Sequence, residues 1–142
     1  MLVSQVLHAK GDKVFTASPG ESIETAAAKL WARGVGSLVV TDADGDVVGI
    51  ISERDVLQAV AQGGGADLGR PLADFMMRDV LLAKPSDTVD EILALMTDRR
   101  VRHLPVCHDR RLVGIISIGD LVKSKMAETQ AETEHLRAYI AS

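Results

Sequence analysis

One seven-residue pattern occurs twice in this chain, as Gly49-Ile50-Ile51-Ser52-Glu53-Arg54-Asp55 and as Gly114-Ile115-Ile116-Ser117-Ile118-Gly119-Asp120. Each copy ends an apolar run and opens a helix, so the two halves must fold alike. The copies are 65 positions apart at Gly49 and Gly114 but 66 apart at Pro19 and Pro85, so the second has lost one residue. Ile23, Ala26, Ala27 and Leu30 align with Val89, Ile92, Leu93 and Met96, and Val35, Leu38 and Val40 with Val101, Leu104 and Val106. The deletion then falls in a turn, Asp42-Ala43-Asp44-Gly45-Asp46 against His108-Asp109-Arg110-Arg111. A hairpin loop can lose a residue there without disturbing a packed face. Two copies are too few for a solenoid.

Within each copy the pattern reads strand, helix, strand, strand, helix. Val14 to Ala17 is a short strand closed by Ser18-Pro19-Gly20, and the 3.6-residue period from Ser22 predicts an amphipathic helix ended by Gly34. Its counterpart opens with Thr88-Val89-Asp90-Glu91, a capping-box pattern. Leu38 to Val40 and Val47 to Ile51 predict a largely buried hairpin. In the second copy Pro105 has no N–H to give a ladder, so its strand is expected at an edge or in irregular pairing.

The flanks complete a plan of repeat one over residues 1–66, repeat two over 67–125 and a helical extension over 126–142. Leu2 to His8 has helical spacing and is broken by Lys10-Gly11-Asp12; Leu72 to Met77 is expected to repeat that helix and Val80 to Lys84 the first strand. Gly63-Gly64-Gly65 is expected to be a flexible tether. Past Asp120 one extended helix should run to the end of the chain, with Leu136, Tyr139 and Ile140 requiring a partner such as a second subunit.

Composition narrows the function. The net charge of −4 opposes a nucleic-acid surface. With aromatics at 3% and hydrophobic residues at 46%, the core must be aliphatic. Cys107, the single cysteine, cannot form an internal disulfide, and no apolar run approaches the roughly 18 residues needed to span a bilayer. Without a leader-like amino terminus, the expected compartment is the cytoplasm.

The duplicated unit, the segment Arg102-His103-Leu104-Pro105-Val106 and the twin Gly-Ile-Ile-Ser-x-x-Asp stretches resemble a tandem CBS module, named for cystathionine β-synthase. The resemblance runs from about Val3 to Val122 and includes no catalytic domain. It implies an α/β fold in which two β-α-β-β-α repeats pack through their sheets with pseudo-twofold symmetry, leaving two clefts for adenosine nucleotides. It also implies association of modules, here as a homodimer. The family's ribose-binding aspartate maps onto Asp55 and Asp120, and its hydroxyl residue onto Ser52 and Ser117. Arg102 and His103 fall where the family places phosphate contacts; Thr16 to Ser18, and Ala83 with Lys84, fall where backbone groups read the adenine edge.

The residues support this chemistry independently. Ser52 and Ser117 stand where a strand becomes a helix, so free N–H groups and the helix dipole favour a phosphate. A carboxylate one turn on can accept two hydrogen bonds from a ribose diol. The competing reading of Ser-x-x-Asp is a helix cap, which is favoured for one copy and loses ground when the motif recurs in a paired repeat. The two readings conflict, because an aspartate folded back onto the cap is less free to hold ribose. Gly36 and Ser37 replace Arg102 and His103 in copy one, so unequal clefts are expected, with Asp120, Arg102 and His103 together in the better triphosphate site. Arg54 is a possible compensating cation whose default is a solvated helix-start residue. Lys84 is a second one, with a surface lysine as its default.

No metal site is expected from His103, Cys107 and His108, which lack a fourth ligand, and no nucleophile set or phosphate-cradling glycine loop suggests an enzyme. The leading expectation is a regulatory homodimer that binds AMP, ADP or ATP, with dependence on Mg2+ open, and reports energy state to an unknown partner. Two alternatives stay open: a ligand-independent assembly module, and a sensor of S-adenosylmethionine or NAD(H).

Overall fold

The computed structural model describes residues 1–11 and 13–141. Asp12, from the expected break, and Ser142, from the expected last helix, lie outside the described residues. Helix α1 (Val3–Lys10) is closed by Gly11, whose N–H donates to Leu7 O at 2.8 Å. Repeat one follows as β1 (Thr16–Ala17), α2 (Ile23–Arg33), β2 (Ser37–Thr41), β3 (Val47–Ser52) and α3 (Glu53–Gly63). Repeat two contains α4 (Val89–Arg99), β4 (His103–His108), β5 (Arg111–Ser117) and α5 (Ile118–Ala141). The mixed α/β architecture expected from the duplication is therefore present. Ser22 and Thr88 cap α2 and α4, each accepting the N–H of the residue three positions on at 3.1 Å.

The sheets differ for a reason visible in one residue. In repeat one, β1 lies parallel to β2, which pairs antiparallel with β3; the Val39 N–H donates to Phe15 O at 3.2 Å. Pro105 takes the place of Val39 in repeat two and has no such donor. The expected strand Val80 to Lys84 is consequently reduced to a single parallel bridge, Ala83 to Val106, beside the β4–β5 hairpin. The hairpin turns differ as the lost residue requires. Asp42 Oδ1 gathers the N–H groups of Asp44 and Asp46, whereas the shorter turn places Asp109 and Arg110 both at positive φ, 50° and 65°.

Each repeat has its own aliphatic core, and the segments preceding the repeats cross over between them. Val3, Val6 and Leu7 of α1 belong to the core of repeat two, beside Val89, Leu104 and Ile116. Leu72 and Met76 belong to the core of repeat one, beside Ile23, Leu38 and Ile51. The glycine that opens each twin motif permits this approach: a Cβ on Gly114 would lie 2.8 Å from Leu7 Cδ2, and one on Gly49 2.9 Å from Met77 O. Segment Leu72 to Met77 repeats the role of α1 without its form. It makes one 3₁₀ turn, Leu72–Asp74, and then Met77 exchanges backbone hydrogen bonds with Ile50, which requires an extended chain. The expected glycine tether is also folded, with Gly63 ending α3 and Gly64–Asp67 forming a 3₁₀ turn fastened by Glu24 N–H to Leu68 O.

Alternation along the strands sends the remaining side chains to the opposite face of each sheet. Val39 and Ile50 are buried there outside both cores, and Pro105 is buried at the equivalent place. Helix α5 runs unbroken for 24 residues: Leu121 is fully buried, while residues 129–141 are exposed.

Candidate functional site

The twin Ser-x-x-Asp stretches form the caps of α3 and α5. Asp55 Oδ2 accepts from the Ser52 N–H at 2.8 Å and from its hydroxyl at 2.9 Å, and Asp120 Oδ2 accepts from the Ser117 N–H at 2.9 Å. The aspartate N–H groups donate back to Ser52 Oγ at 3.3 Å and Ser117 Oγ at 3.1 Å. The capping bonds use one carboxylate oxygen, Oδ2, in both copies. Oδ1 takes no part in them, so one carboxylate oxygen of each aspartate lies outside the cap.

Asp120 has a neighbour that Asp55 lacks. Lys10, the last residue of α1, places its ammonium 2.6 Å from Asp120 Oδ2 and 2.9 Å from Ile115 O. The crossover of α1 onto repeat two brings it there, and the negative end of the helix dipole suits its charge. Burial pushes the Asp120 carboxyl up, but the Lys10 ammonium and the Ser117 N–H outweigh it and hold the group below the usual carboxylate range.

A cavity of about 320 Å³ opens at this pair, within the size range of small-ligand sites. Its wall joins Lys10, Lys13 and Phe15 to Gly36 and Ser37 of repeat one and to His103, Ile115, Ser117 and Asp120 of repeat two. His103 is half-buried at the start of β4, with Nε2 where it would meet a Cβ on Gly36 at 3.5 Å. Burial lowers its pKa below the ordinary imidazole value, against the raising influence of Asp120 and Glu53, so the ring is neutral near pH 7.

Three of the expected residues thus meet: His103, Ser117 and Asp120. Arg102, expected beside them, is exposed and outside this wall, which His103 shares instead with Gly36 and Ser37 of the other repeat. Its carbonyl accepts from the Ile118 N–H at 2.8 Å, as that of Gly36 does from Glu53 at 3.0 Å. Positive charge comes instead from Lys10 and Lys13. Ser52 and Asp55 lie at the other junction, with Arg54 exposed in the first turn of α3. Thr16 is exposed on β1. Both backbone groups of the buried Ala83 are bonded to β4, and Lys84 is exposed with its N–H given to Asp87.

Lys10, Lys13, Phe15 and Ser37 were not apparent as site residues in the sequence. Ser37 had a signal, as the counterpart of His103, but Lys10 reads as part of a helix break until α1 is seen on repeat two. A second groove of about 580 Å³, lined by Leu30, Trp31, Val56 and their neighbours, lies across the Gly34-Val35-Gly36 segment and holds none of the expected residues. Among the described residues no three His, Cys, Asp or Glu side chains converge as a metal site. No described helix is long and apolar enough to cross a membrane.

The profile of the CBS domain matches residues 3–62 and again 72–127. The CBS-domain protein ATU1752 from Agrobacterium tumefaciens has a solved structure that superposes with a TM-score of 0.84 at 44% identity, over 88% of this chain and 99% of that one. The CBS domain pair of protein MJ0100, solved in complex with 5′-methylthioadenosine and S-adenosyl-L-methionine, superposes at 0.80 with 29% identity, over 90% of this chain and 98% of its own. The mitochondrial CBS domain-containing protein CBSX3 of Arabidopsis thaliana is 30% identical over 97% of this chain and 71% of its own length. The crossed α1, the paired hairpins and the twin capped aspartates are therefore those of a tandem pair, and the chain belongs to the CBS-domain family.

Proposed function

We propose that this chain is a regulatory module, not an enzyme, that binds an adenine nucleotide in the cleft of Asp120 and changes its effect on a partner protein accordingly. The observation that carries this reading is the meeting of His103, Ser117 and Asp120 with two lysines in one cavity of about 320 Å³. A carboxylate beside a helix start suits a ribose diol, and the lysines suit a phosphate. Signalling follows from position: the wall is shared by both repeats and by α1, so a bound ligand favours one relative arrangement of the three. We take the acting form to be a homodimer in the cytoplasm; the association is supported by the exposed apolar side chains of Trp31, Leu57 and Val60 on repeat one and Leu136 and Ile140 on α5.

A second reading, a sensor of S-adenosylmethionine, is favoured by the ligands of the MJ0100 pair. The assembly-module reading is favoured by the exposed end of α5; removing residues after Met126 should then abolish association while nucleotides change nothing. Thermal unfolding of the wild type and Asp120→Ala separates these readings. AMP, ADP, ATP, NADH and S-adenosylmethionine are compared with and without magnesium. A compound at about 100 times its Kd adds roughly 2.7 kcal/mol to the native state, a shift on the order of 5 °C. A nucleotide-selective shift lost in the variant supports the first reading, a shift confined to S-adenosylmethionine supports the second, and no shift with any compound removes both.

A further inference from the structure

Lys10 gives the two aspartates different chemistry. Segment Leu72 to Met77, which takes the place of α1 against repeat one, brings methionines rather than an ammonium; among the described residues no cation pairs with Asp55. Asp120 is bonded at once to its cap and to Lys10, and among the described residues the other hydrogen-bond partner of Lys10 is the carbonyl of Ile115. Lys10 and the cap hold the same oxygen, Oδ2, so a ribose diol that takes both oxygens of Asp120 must share or displace that ammonium. A neutral nucleoside offers Lys10 nothing in return. A phosphorylated one carries its own anion into a wall that also contains Lys13.

We propose that Lys10 is the residue that sets ligand charge in the Asp120 cleft, by competing with the diol for the carboxylate and rewarding only a ligand that supplies a phosphate in exchange. This rests on the nucleotide reading above and assigns Lys10 a role beyond it. The side chain sits at the exposed end of α1 with about a third of its surface open, so it can turn from carboxylate to phosphate without disturbing the core. Loss of the lysine therefore acts in opposite directions on neutral and anionic ligands, which a purely structural ion pair would not do.

The test measures adenosine and ATP affinities by calorimetry for Lys10→Met and Lys13→Met, each in an Asp55→Ala background so that the Asp120 cleft is read alone. Lys10→Met should bind adenosine roughly two- to fivefold more tightly, as expected for freeing a carboxylate from a partly exposed ion pair. It should bind ATP about fivefold or more weakly, as expected for a lost charged contact. Lys13→Met should weaken ATP without improving adenosine. Unchanged preference in Lys10→Met, with ATP still bound, overturns the role of Lys10 and leaves the nucleotide reading standing. The same gain for adenosine in Lys13→Met overturns it too, since general charge would then explain both. Failure of the Asp55→Ala parent to bind either compound overturns the nucleotide reading of this cleft and the inference with it.

Discussion

Asp55 and Asp120 hold the same place in their repeats and accept the same hydrogen bond from a serine three residues earlier, yet among the described residues only Asp120 meets a lysine. Their immediate neighbours in sequence do not explain this. The difference comes from the segment that crosses over from outside each repeat: an eight-residue helix ending in Lys10 for repeat two, and the 3₁₀ turn Leu72–Asp74 followed by Met76 and Met77 for repeat one. Duplication kept the residues that build the cores and caps. The crossing segments differ, and that of repeat two brings Lys10 into the wall of the Asp120 cavity.

The largest effect that tests this comparison comes from unseating the crossing segments. Leu7→Ala and Met76→Ala remove side chains that are 8% exposed from the two cores, and each should cost about 2–4 kcal/mol in urea unfolding. A near-zero loss for Leu7→Ala would mean that α1 is not held on repeat two. A smaller effect of opposite sign is expected at the ends of α2 and α4, which close in the left-handed region at Gly34 and Arg100. Arg100→Gly should stabilise by about 0.5–1 kcal/mol and Gly34→Ala should destabilise by about 1 kcal/mol, as judged by denaturation midpoints.

The smallest effect is a dependence on pH. The pKa of His103 is lowered by burial, so the unfolded chain binds a proton there more readily than the folded one. Its contribution to stability is present above the ordinary imidazole value, near 6.5, and is lost as pH falls through that value toward the depressed folded one. Wild type should thus lose more stability than His103→Gln between about pH 7.5 and pH 5.5. Equal slopes would place His103 in water rather than in the wall. For Asp120, also lowered, the loss belongs to a lower window, below about pH 4.

Much of this was legible in the sequence because it repeats. The 65- and 66-residue offsets fixed both cores and located the deletion, and Pro105 announced a weakened ladder through its missing donor. The two segments before repeat two were misread because apolar content alone does not make an element. Leu72 to Met77 is limited to one 3₁₀ turn because Met77 pairs with Ile50, and Val80 to Lys84 has no donor at Pro105 to pair with. His103, Ser117 and Asp120, which line one cavity, were singled out through motif and resemblance. Lys10 was not, since its role depends on which repeat α1 joins, and chain order suggests the nearer one. Arg102 was grouped with His103 and Asp120 through the family resemblance, whereas Gly36 and Ser37 of the other repeat line the cavity with that aspartate.

The most direct measurement is a calorimetric titration of ATP into wild type, Asp55→Ala and Asp120→Ala. Unequal clefts predict that Asp120→Ala removes the tighter ATP binding, while Asp55→Ala leaves it within about twofold. Equal losses from the two substitutions, or ATP binding untouched by Asp120→Ala, would contradict the assignment of the anionic ligand to the cleft that Lys10 guards.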